Sequence, residues 1–340
     1  MTTHFFQHEE KNLVEFIKNS SYSSITILCD SKTNGFCISV FEALFPQFRS
    51  ANLIVIPEGE EHKNWATCEI IFNEFAKLNL DKNALLINLG GGVITDIGGF
   101  CASIYKRGIA FIHCPTSVLA QCDAAIGGKN GINFHHSKNQ LGTINEAKAI
   151  YFNPIFFQTL PERQIKNGVV EMIKHVLLFN KNALQYISTI KDFTDLLSTE
   201  VIKKHVAYKN NLVEKDQNDA NERQQLNFGH SLGHAIESHS LTTKNKLFHG
   251  EAILLGMIYE LQLSIQKGFK VQEIYEVLLA FKVNFFKELD YTFDLENLLP
   301  FLLQDKKNTK DIKMSLLEAV ADCKIKSSVS IEELQKLNAI

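Results

Sequence analysis

The chain contains 340 residues, of which 45% are hydrophobic and 21% are charged. At roughly 150 residues per domain, this length predicts two domains that each bury their own core, and it excludes a mini-protein held by cross-links. Lys and Arg number 35 against 38 Asp and Glu, a net charge of −3. This balance argues against a polybasic nucleic-acid binder and against a disordered acidic tail.

The cysteines and the first residues indicate the compartment. Seven cysteines are scattered without a C-x-x-C pair, which predicts reduced thiols rather than a disulfide framework or a zinc ribbon. Acidic residues and histidines stand near the start, where a signal peptide would have basic and then apolar residues. No apolar run approaches the ~18 residues needed to cross a bilayer. We therefore expect a cytoplasmic protein whose partners include neither membrane nor nucleic acid.

Short apolar runs alternate with helix-like stretches in the first part of the chain. Strands are predicted at residues 25–28, 53–56, 84–89 and 110–113, with a helix between the second and the third. Strands separated by helices predict an α/β domain with a mostly parallel sheet. Ligands of such a domain bind at the carboxyl ends of the strands.

The pattern changes after Asn153. Apolar residues then recur at helical spacing, as in 169–178, 252–265 and 274–281, so the second half is predicted to be helical. Strand-like alternation is scarce until Lys313. Pro154 and Pro161 flank the change, and we place the domain boundary there.

A glycine-rich segment, GGGVITDIGG at 90–99, follows the third predicted strand and precedes a helical stretch. Successive glycines let the backbone approach a pyrophosphate, and the start of the helix supplies free N–H groups. The segment departs from G-x-G-x-x-G because Thr95 occupies the last position, and it does not follow the first strand. It therefore differs from the ordinary Rossmann fingerprint, and a plain strand-to-helix turn is the alternative.

A second cluster, DAAIGGKNGIN at 123–133, combines a flexible backbone with Lys129, and Lys138 and Asn139 follow it. Lys and Asn supply donors that suit phosphate or hydroxyl groups. A loop with a solvated lysine is the alternative interpretation.

The helical half contains a candidate metal site. His230 and His234 are spaced to share one face of a helix, His249 follows, and Glu171 and Lys174 share a face of another predicted helix. A carboxylate with imidazoles is typical of a catalytic divalent metal site, most often zinc. Spacing alone nominates both His230 and His234, and ordinary surface or core histidines are the alternative.

Taken together, these segments resemble the 3-dehydroquinate synthases, from about residue 25 to the tail. The matching blocks, in the family's order, are EGEEHK (58–63), GGGVITDIGGF (90–100), YKRG (105–108), PTSVLAQCDAAIGGKNGIN (115–133), KNQLG (138–142), LPERQIKNGVVEMIKH (160–175), LNFGHSLGHAIE (226–237), HGEA (249–252) and DKKN (305–308). So many blocks in one order are too many for coincidence.

The resemblance implies a Rossmann-like NAD-binding α/β domain over 1–153 and an all-α metal- and substrate-binding domain over 154–340, with the active site in the cleft between them. It implies a homodimeric lyase that uses NAD and zinc, or cobalt. The small phosphorylated keto-acid substrate would be 3-deoxy-D-arabino-heptulosonate 7-phosphate (DAHP), and the products 3-dehydroquinate and phosphate, in the shikimate pathway of aromatic amino acid biosynthesis. NAD would oxidise the C5 hydroxyl, phosphate would be eliminated, the hydride would return, and an intramolecular aldol step would close the ring without net redox change.

The resemblance also implies the site residues. The metal ligands would be Glu171, His230 and His249. NAD contacts would come from Asp30, Glu58, Gly59, Glu60, Glu61, His62, Lys63, Gly92, Val93, Ile94, Thr95, Asp96, Thr116, Ser117, Lys129, Lys138, Phe156, Phe157, Gln158 and Thr159. The catalytic and substrate residues would be Asp123, Lys129, Lys138, Asn139, Lys174, Lys209, Arg223, Asn227, His234, and Lys306 or Lys307, with Arg107 reaching the phosphate from a neighbouring subunit. His234 is thereby a substrate-site residue, which corrects the spacing argument.

Some positions depart from the family pattern. Thr95 replaces a common Gly, Asn130 a common Thr, and GTIN at 142–145 a more usual Gly-Ala-Phe stretch. Gln217 stands where the family usually has Glu, which concerns how Lys209 and Arg223 are held. None of these departures removes a proposed metal ligand or substrate charge.

Three other functions are weighed against this one. A related sugar phosphate cyclase, or a glycerol-dehydrogenase-like polyol dehydrogenase with the same glycine loop, would keep the fold. Lys209, Arg223 and Asn227 together favour a substrate with a carboxylate. A degenerate NAD-binding or interaction protein conflicts with the retention of all three metal ligands.

Overall fold

The computed structural model describes residues 2–135, 137–291, 294–303 and 312–340. The chain divides into two compact units, the first comprising the residues up to Ile165 with Leu196–Lys209, the second Lys166–Asp195 and the residues from Asn210 onward. The chain therefore passes between the units three times, whereas the predicted boundary after residue 153 has a single passage. That boundary stays a prediction.

A parallel sheet forms the centre of the first unit. Its strands are β1 (Thr3–Phe6), β2 (Ile25–Asp30), β3 (Asn52–Ile56), β4 (Leu85–Gly90), β5 (Ala110–Pro115) and β8 (Ala149–Phe152). Their order is β1-β8-β5-β4-β2-β3, and every neighbouring pair is parallel. The four predicted strands correspond to β2, β3, β4 and β5. Because β4 and β5 are parallel neighbours, their carboxyl ends lie side by side, with Gly90 opposite Pro115.

The remaining elements of the first unit pack around this sheet or extend from it. They are the helices α1 (Glu10–Asn19), α2 (Ser31–Phe36), α3 (Ile38–Leu44), α4 (Trp65–Lys77) and α5 (Gly92–Ile104), and an antiparallel hairpin of β6 (Lys129–Phe134) and β7 (Ser137–Ile144). Helix α4 is the predicted helix between the second and third strands. Asn64 caps it by accepting a hydrogen bond of 3.0 Å from the Thr67 N–H, and Ile71 and Phe75 are buried on its inner face.

The second unit is mainly helical, as predicted. It contains α7 (Ala183–Thr189), α9 (His230–Ser240), α10 (His249–Gln266), α11 (Gln272–Phe285), α12 (Leu295–Leu302) and α13 (Ile331–Leu334), and most of α6 (Glu162–Phe179). Helix α8 (Thr199–Lys215) ends in it. One antiparallel hairpin, β9 (Ile312–Ala319) with β10 (Asp322–Val329), adds to the helices where strand-like alternation begins in the sequence.

Helix α10 is the buried centre of the second unit, because every residue from Gly250 to Ser264 is buried. It runs antiparallel to α9, and glycines set the distance between the two backbones. A Cβ atom on Gly256 would lie 2.0 Å from the carbonyl oxygen of Gly229, so no side chain fits there.

In the part of the chain that the structure describes, no helix is both long enough and apolar enough to cross a lipid bilayer. All seven cysteines are free thiols, and only Cys323 is not fully buried.

Candidate active site

The glycine loop lies at the carboxyl end of β4, where α5 begins. Gly90 ends β4, Gly91 is the N-cap of α5, and Gly92 is its first residue. A Cβ on Gly90 would lie 2.5 Å from Ile94, which excludes a side chain there. No side chain caps α5, so its first N–H groups are available to an anion such as a phosphate. The N–H of Thr116 donates to the Gly90 carbonyl at 2.9 Å and brings the end of β5 beside the loop.

Several residues expected to contact NAD are buried, namely Ile94, Thr95, Phe156 and Phe157. Their contact with NAD stays a prediction. The Thr95 hydroxyl, a departure from the family pattern, donates to the Gly92 carbonyl at 3.0 Å inside α5. The Thr95 hydroxyl is therefore hydrogen-bonded within α5 itself.

Lys63 joins three of the sequence blocks. Its side chain is buried, and its Nζ donates to Asp96 Oδ2 at 2.5 Å and to Asn139 Oδ1 at 2.6 Å. Asn139 has a left-handed φ of 50° and its N–H donates to Asn133 Oδ1 at 3.0 Å. Burial raises the pKa of Asp96, and the charge of Lys63 opposes that shift. The segment 58–63, which is expected to contact NAD, therefore meets α5 and the β6–β7 hairpin at the ammonium group of Lys63.

The other expected substrate residues of the first unit lie on α8, the hairpin and two turns. Lys209 is buried, and its Nζ lies 2.8 Å from Asp123 Oδ1 and donates to the Asp123 carbonyl at 2.6 Å. Lys129 is exposed at the start of β6, and Lys138 is half-buried in β7. Arg107 is exposed in a tight turn with a left-handed φ of 65°.

The three expected metal ligands come together in the second unit. Glu171 is fully buried in α6, and its Oε1 lies 3.6 Å from His230 Nε2 and 3.5 Å from His249 Nε2. His230 is the first residue of α9 and His249 the first residue of α10. The centroids of their imidazole rings lie 5.6 Å apart.

The donor set and its spacing fit a divalent ion such as zinc. Ligand atoms about 2.1 Å from zinc in tetrahedral geometry lie roughly 3.4 Å apart, close to the spacing found here. His230 Nδ1 lies 3.2 Å from the Phe228 carbonyl oxygen, and His249 Nδ1 lies 3.3 Å from Glu237 Oε2. These oxygens accept hydrogen bonds, so a proton belongs on each Nδ1, and Nε2 would be the atom of each ring that binds the metal.

His234 lies beside this set. Nitrogen atoms of His230, His234 and His249 lie within 4.8 Å of one another. The spacing argument that nominated His234 as a ligand and the resemblance that assigned it to the substrate are both compatible with this position. Its role in substrate binding stays a prediction.

Buried charges around the ligands set their protonation without metal. Lys174 forms an ion pair with Glu171, and both side chains are buried. Burial lowers the pKa of His230, and the positive charge of Lys174 lowers it further. Burial also opposes the charged form of His249, but hydrogen bonds to Glu171 and Glu237 outweigh it and raise the pKa of His249 to about 9.

Arg223 does not depend on the side chain of Gln217. Arg223 is buried, and its Nη1 donates to the backbone carbonyl of Gln217 at 3.1 Å, a contact that any residue at 217 could make. Asp216 accepts from the Ala220 and Asn221 N–H groups and shapes this turn. Asn227 is exposed at the end of the same segment. Lys306 and Lys307 lie outside the described residues.

Two buried carboxylates were not among the predicted site residues. Glu237 contacts His249, and Glu260 accepts hydrogen bonds from the backbone around His230. Glu237 falls inside a family block at 226–237, but nothing in its spacing along the chain links it to His249. Only the packing of α9 against α10 brings these groups together.

Comparisons with known proteins agree with this geometry. The model of the family described as 3-dehydroquinate synthase N-terminal matches residues 53–167, and the one described as 3-dehydroquinate synthase C-terminal matches residues 168–308. The 3-dehydroquinate synthase of Parabacteroides distasonis is 33% identical over 331 residues, which are 96% of this chain and 93% of that protein. The chain belongs to the 3-dehydroquinate synthase family.

Solved structures show the fold shared by this 3-dehydroquinate synthase family member. A 2-deoxy-scyllo-inosose synthase complexed with carbaglucose-6-phosphate, NAD+ and Co2+ has a TM-score of 0.83 at 21% identity, covering 98% of this chain and 95% of its own. The 2-epi-5-epi-valiolone synthase of Streptomyces hygroscopicus, with NAD+ and Zn2+ bound, has a TM-score of 0.82 at 24% identity, with the same coverage. The predicted fold, a parallel-sheet α/β part followed by a helical part, is confirmed.

Proposed function

We propose that the protein is a phosphorus–oxygen lyase that converts DAHP into 3-dehydroquinate and phosphate, the 3-dehydroquinate synthase reaction of the shikimate pathway. The observation that carries the proposal is the cluster of Glu171, His230 and His249, spaced for one divalent ion in a chain that matches the family over residues 53–308. Structural neighbours with NAD+ and either Co2+ or Zn2+ support the same two cofactors here.

In the proposed site, Glu171, His230 and His249 hold the metal, and the glycine loop with the start of α5 holds the pyrophosphate of NAD. Bound metal would supply a Lewis acid that lowers the pKa of the substrate hydroxyl, and bound NAD would supply a reversible hydride acceptor. Lys174 balances the charge of Glu171, because both side chains are buried against each other. The proposal requires residues of both units to act on one substrate molecule.

The cationic side chains recognise the two anionic ends of the substrate. Lys209 and Arg223 pair with the carboxylate, the arginine through two parallel hydrogen bonds. Lys129, Arg107 and His234 hold the phosphate, while Asp123, Lys138, Asn139 and Asn227 position the hydroxyl groups. Lys63 donates hydrogen bonds to both Asp96 and Asn139. It therefore orients α5, on the NAD side, together with β7, on the substrate side. The residues therefore contribute orientation and charge placement.

We place the enzyme in the cytoplasm as a homodimer. Arg107 is exposed at a tight turn, where it is accessible to a second subunit. In a dimer this guanidinium would complete the phosphate site of the neighbour. Mixed dimers of one Arg107→Ala and one Glu171→Gln chain would have one intact site of two if the arginine acts across subunits. An equal, randomly paired mixture of the two chains would therefore recover about a quarter of wild-type activity.

The experiment that tests the function is phosphate release from DAHP. Purified protein with NAD and zinc should release phosphate, and a chelator should abolish the release until zinc or cobalt is restored. Glu171→Gln should remain inactive at the same metal concentration. Absence of phosphate release from the zinc- and NAD-loaded wild type would reject the proposal.

A polyol dehydrogenase of the same fold is distinguished by its nucleotide product. Such an enzyme reduces NAD in proportion to substrate consumed and releases no phosphate. The proposed lyase returns the hydride within each cycle, so NADH does not accumulate. A related sugar phosphate cyclase would leave DAHP untouched and act on a substrate without a carboxylate, contrary to the use of Arg223 proposed here.

A further inference from the structure

Two buried carboxylates stand behind the metal-binding imidazoles. Glu237, on α9, is 5% exposed, and its Oε2 lies 3.3 Å from Nδ1 of His249 on α10. Glu260, on α10, is fully buried and contacts the start of α9, where His230 lies. Each helix therefore carries one imidazole at its first residue and one carboxylate directed at the other helix.

Glu260 caps the start of α9 in place of the N-cap residue. Gly229 is the N-cap residue, with a left-handed φ of 79°, and it has no side chain that could accept hydrogen bonds. Glu260 Oε2 accepts from the Gly229 N–H at 2.6 Å, and Oε1 accepts from the Leu232 N–H at 3.2 Å. The two donors lie on either side of His230, so the carboxylate fixes the backbone that carries this imidazole.

The contact of Glu260 also reaches the ring of His230 through one peptide group. The Gly229 N–H and the Phe228 carbonyl belong to the same peptide, and that carbonyl oxygen lies 3.2 Å from His230 Nδ1. Aligned hydrogen bonds polarise one another in a buried setting. His249 thus meets its carboxylate directly, whereas His230 meets its carboxylate through a peptide.

We infer that Glu237 and Glu260 are positioning residues for the metal site, each fixing the imidazole that the opposite helix supplies. The inference rests on the metal site of the proposed function. Partners of this kind hold the ring in the tautomer that presents Nε2 to the metal, and their loss typically costs about 10–100-fold in metal affinity.

The test is Co2+ binding to metal-stripped protein without substrate, measured by competition with a chromophoric chelator and by the visible absorption of bound Co2+. Glu237→Ala should weaken Co2+ binding by about 10–100-fold, and Glu237→Gln by less, because its amide oxygen can still accept from Nδ1. Glu260→Gln should weaken binding by about tenfold and alter the Co2+ spectrum, since one backbone N–H then faces the amide NH2.

Glu333→Gln is the matched control. Glu333 caps α13 by accepting from the Ser330 N–H at 2.7 Å, as Glu260 caps α9, but no imidazole follows it. The control should lower the free energy of unfolding and leave Co2+ affinity unchanged. If Glu260→Gln fails to fold, the two Glu237 variants still test the inference, because the Glu237 carboxylate contacts the ring of His249 directly.

The outcomes separate this inference from the proposed function. If the wild type binds one Co2+ that Glu171→Gln does not bind, the metal site stands. Unchanged affinity and spectrum in the Glu237 and Glu260 variants would then overturn only the positioning role. A wild type that binds no Co2+ would overturn the metal site and the positioning role together.

Discussion

At the scale of single residues, Glu171 and Lys174 form an ion pair with almost no solvent exposure. Removing one partner leaves the other charge buried without compensation, which costs about 3–5 kcal/mol. We predict that Glu171→Gln lowers the free energy of unfolding of the metal-free protein by about 3 kcal/mol, and that adding Lys174→Met restores most of it. Urea unfolding in a chelator measures both. Equal stability of the single and double variants would contradict this account.

His113 makes stability depend on pH. It lies in β5, where burial lowers its pKa to about 3, and its Nδ1 lies 3.2 Å from Asn88 Nδ2. The unfolded chain binds a proton below about pH 6.5 that the folded chain cannot bind, so stability falls as the pH drops from about 6.5 toward 3.

We predict that His113→Gln loses less stability on acidification than the wild type. The difference should be about 2 kcal/mol between about pH 7 and pH 5, from the gap between the two pKa values. Urea unfolding at both pH values measures it. Parallel pH profiles for the two proteins would show that His113 is not the titrating group.

The sequence could nominate the proposed metal ligands, but not the groups that surround them. Glu171, His230 and His249 could be named because their residue types and family blocks identify them. Spacing alone could not separate His230 from His234, since both lie on one face of α9. The contacts of Glu260 could not be predicted, because its partners are backbone N–H groups, which leave no signal in a sequence.

At the scale of elements, contact between α9 and α10 depends on Gly256. A Cβ there would lie 2.0 Å from the Gly229 carbonyl oxygen and must push the helices apart. We predict that Gly256→Ala lowers the free energy of unfolding by about 2–3 kcal/mol and weakens zinc binding. Thermal unfolding and a zinc titration measure the two effects.

Gly35→Ala is the control for this substitution. Gly35 lies in α2, and a Cβ there meets nothing within 4 Å. Alanine should raise stability by roughly 0.5–1 kcal/mol through its helix preference and leave zinc binding unchanged. If both variants lost the same stability, close helix contact would not be the cause.

Lys63 joins its own loop to α5 and β7 in the first unit. Replacing it with Met removes the donor shared by Asp96 and Asn139. We predict that Lys63→Met weakens NAD binding by about tenfold, the usual effect of losing a hydrogen bond to a charged group. Calorimetric titration with NAD measures it. Lys32→Met, which removes the exposed ion pair with Glu58 on the same loop, should bind NAD like the wild type.

Elements were predictable where their pattern was regular. Strands β2, β4 and β5 are mostly buried apolar runs, and α4 has helical spacing. Strand β3 is also apolar, although Leu53 and Val55 are exposed at the edge of the sheet. Strands β1 and β8 have only four residues each, too few for a pattern to stand out. The sequence of the β6–β7 hairpin predicts a loop instead, because its Gly, Asn and Lys residues have low strand preference.

At the scale of the whole molecule, a net charge of −3 is compatible with cationic side chains in both units. Lys129, Lys138 and Lys209 belong to the first unit, and Lys174 and Arg223 to the second. The composition is therefore compatible with a small anionic substrate. The two-part architecture followed from the change of periodicity, whereas the return of Leu196–Lys209 to the first unit depends on long-range contacts that no local pattern encodes.

The central claim is that NAD acts as a catalyst that ends each cycle unchanged. The most direct measurement supplies DAHP in large excess over NAD and follows phosphate and NADH in the same sample. We predict many phosphates released per NAD, with no accumulation of NADH. Phosphate release that stops when NAD is consumed, or NADH that rises with turnover, would contradict the account.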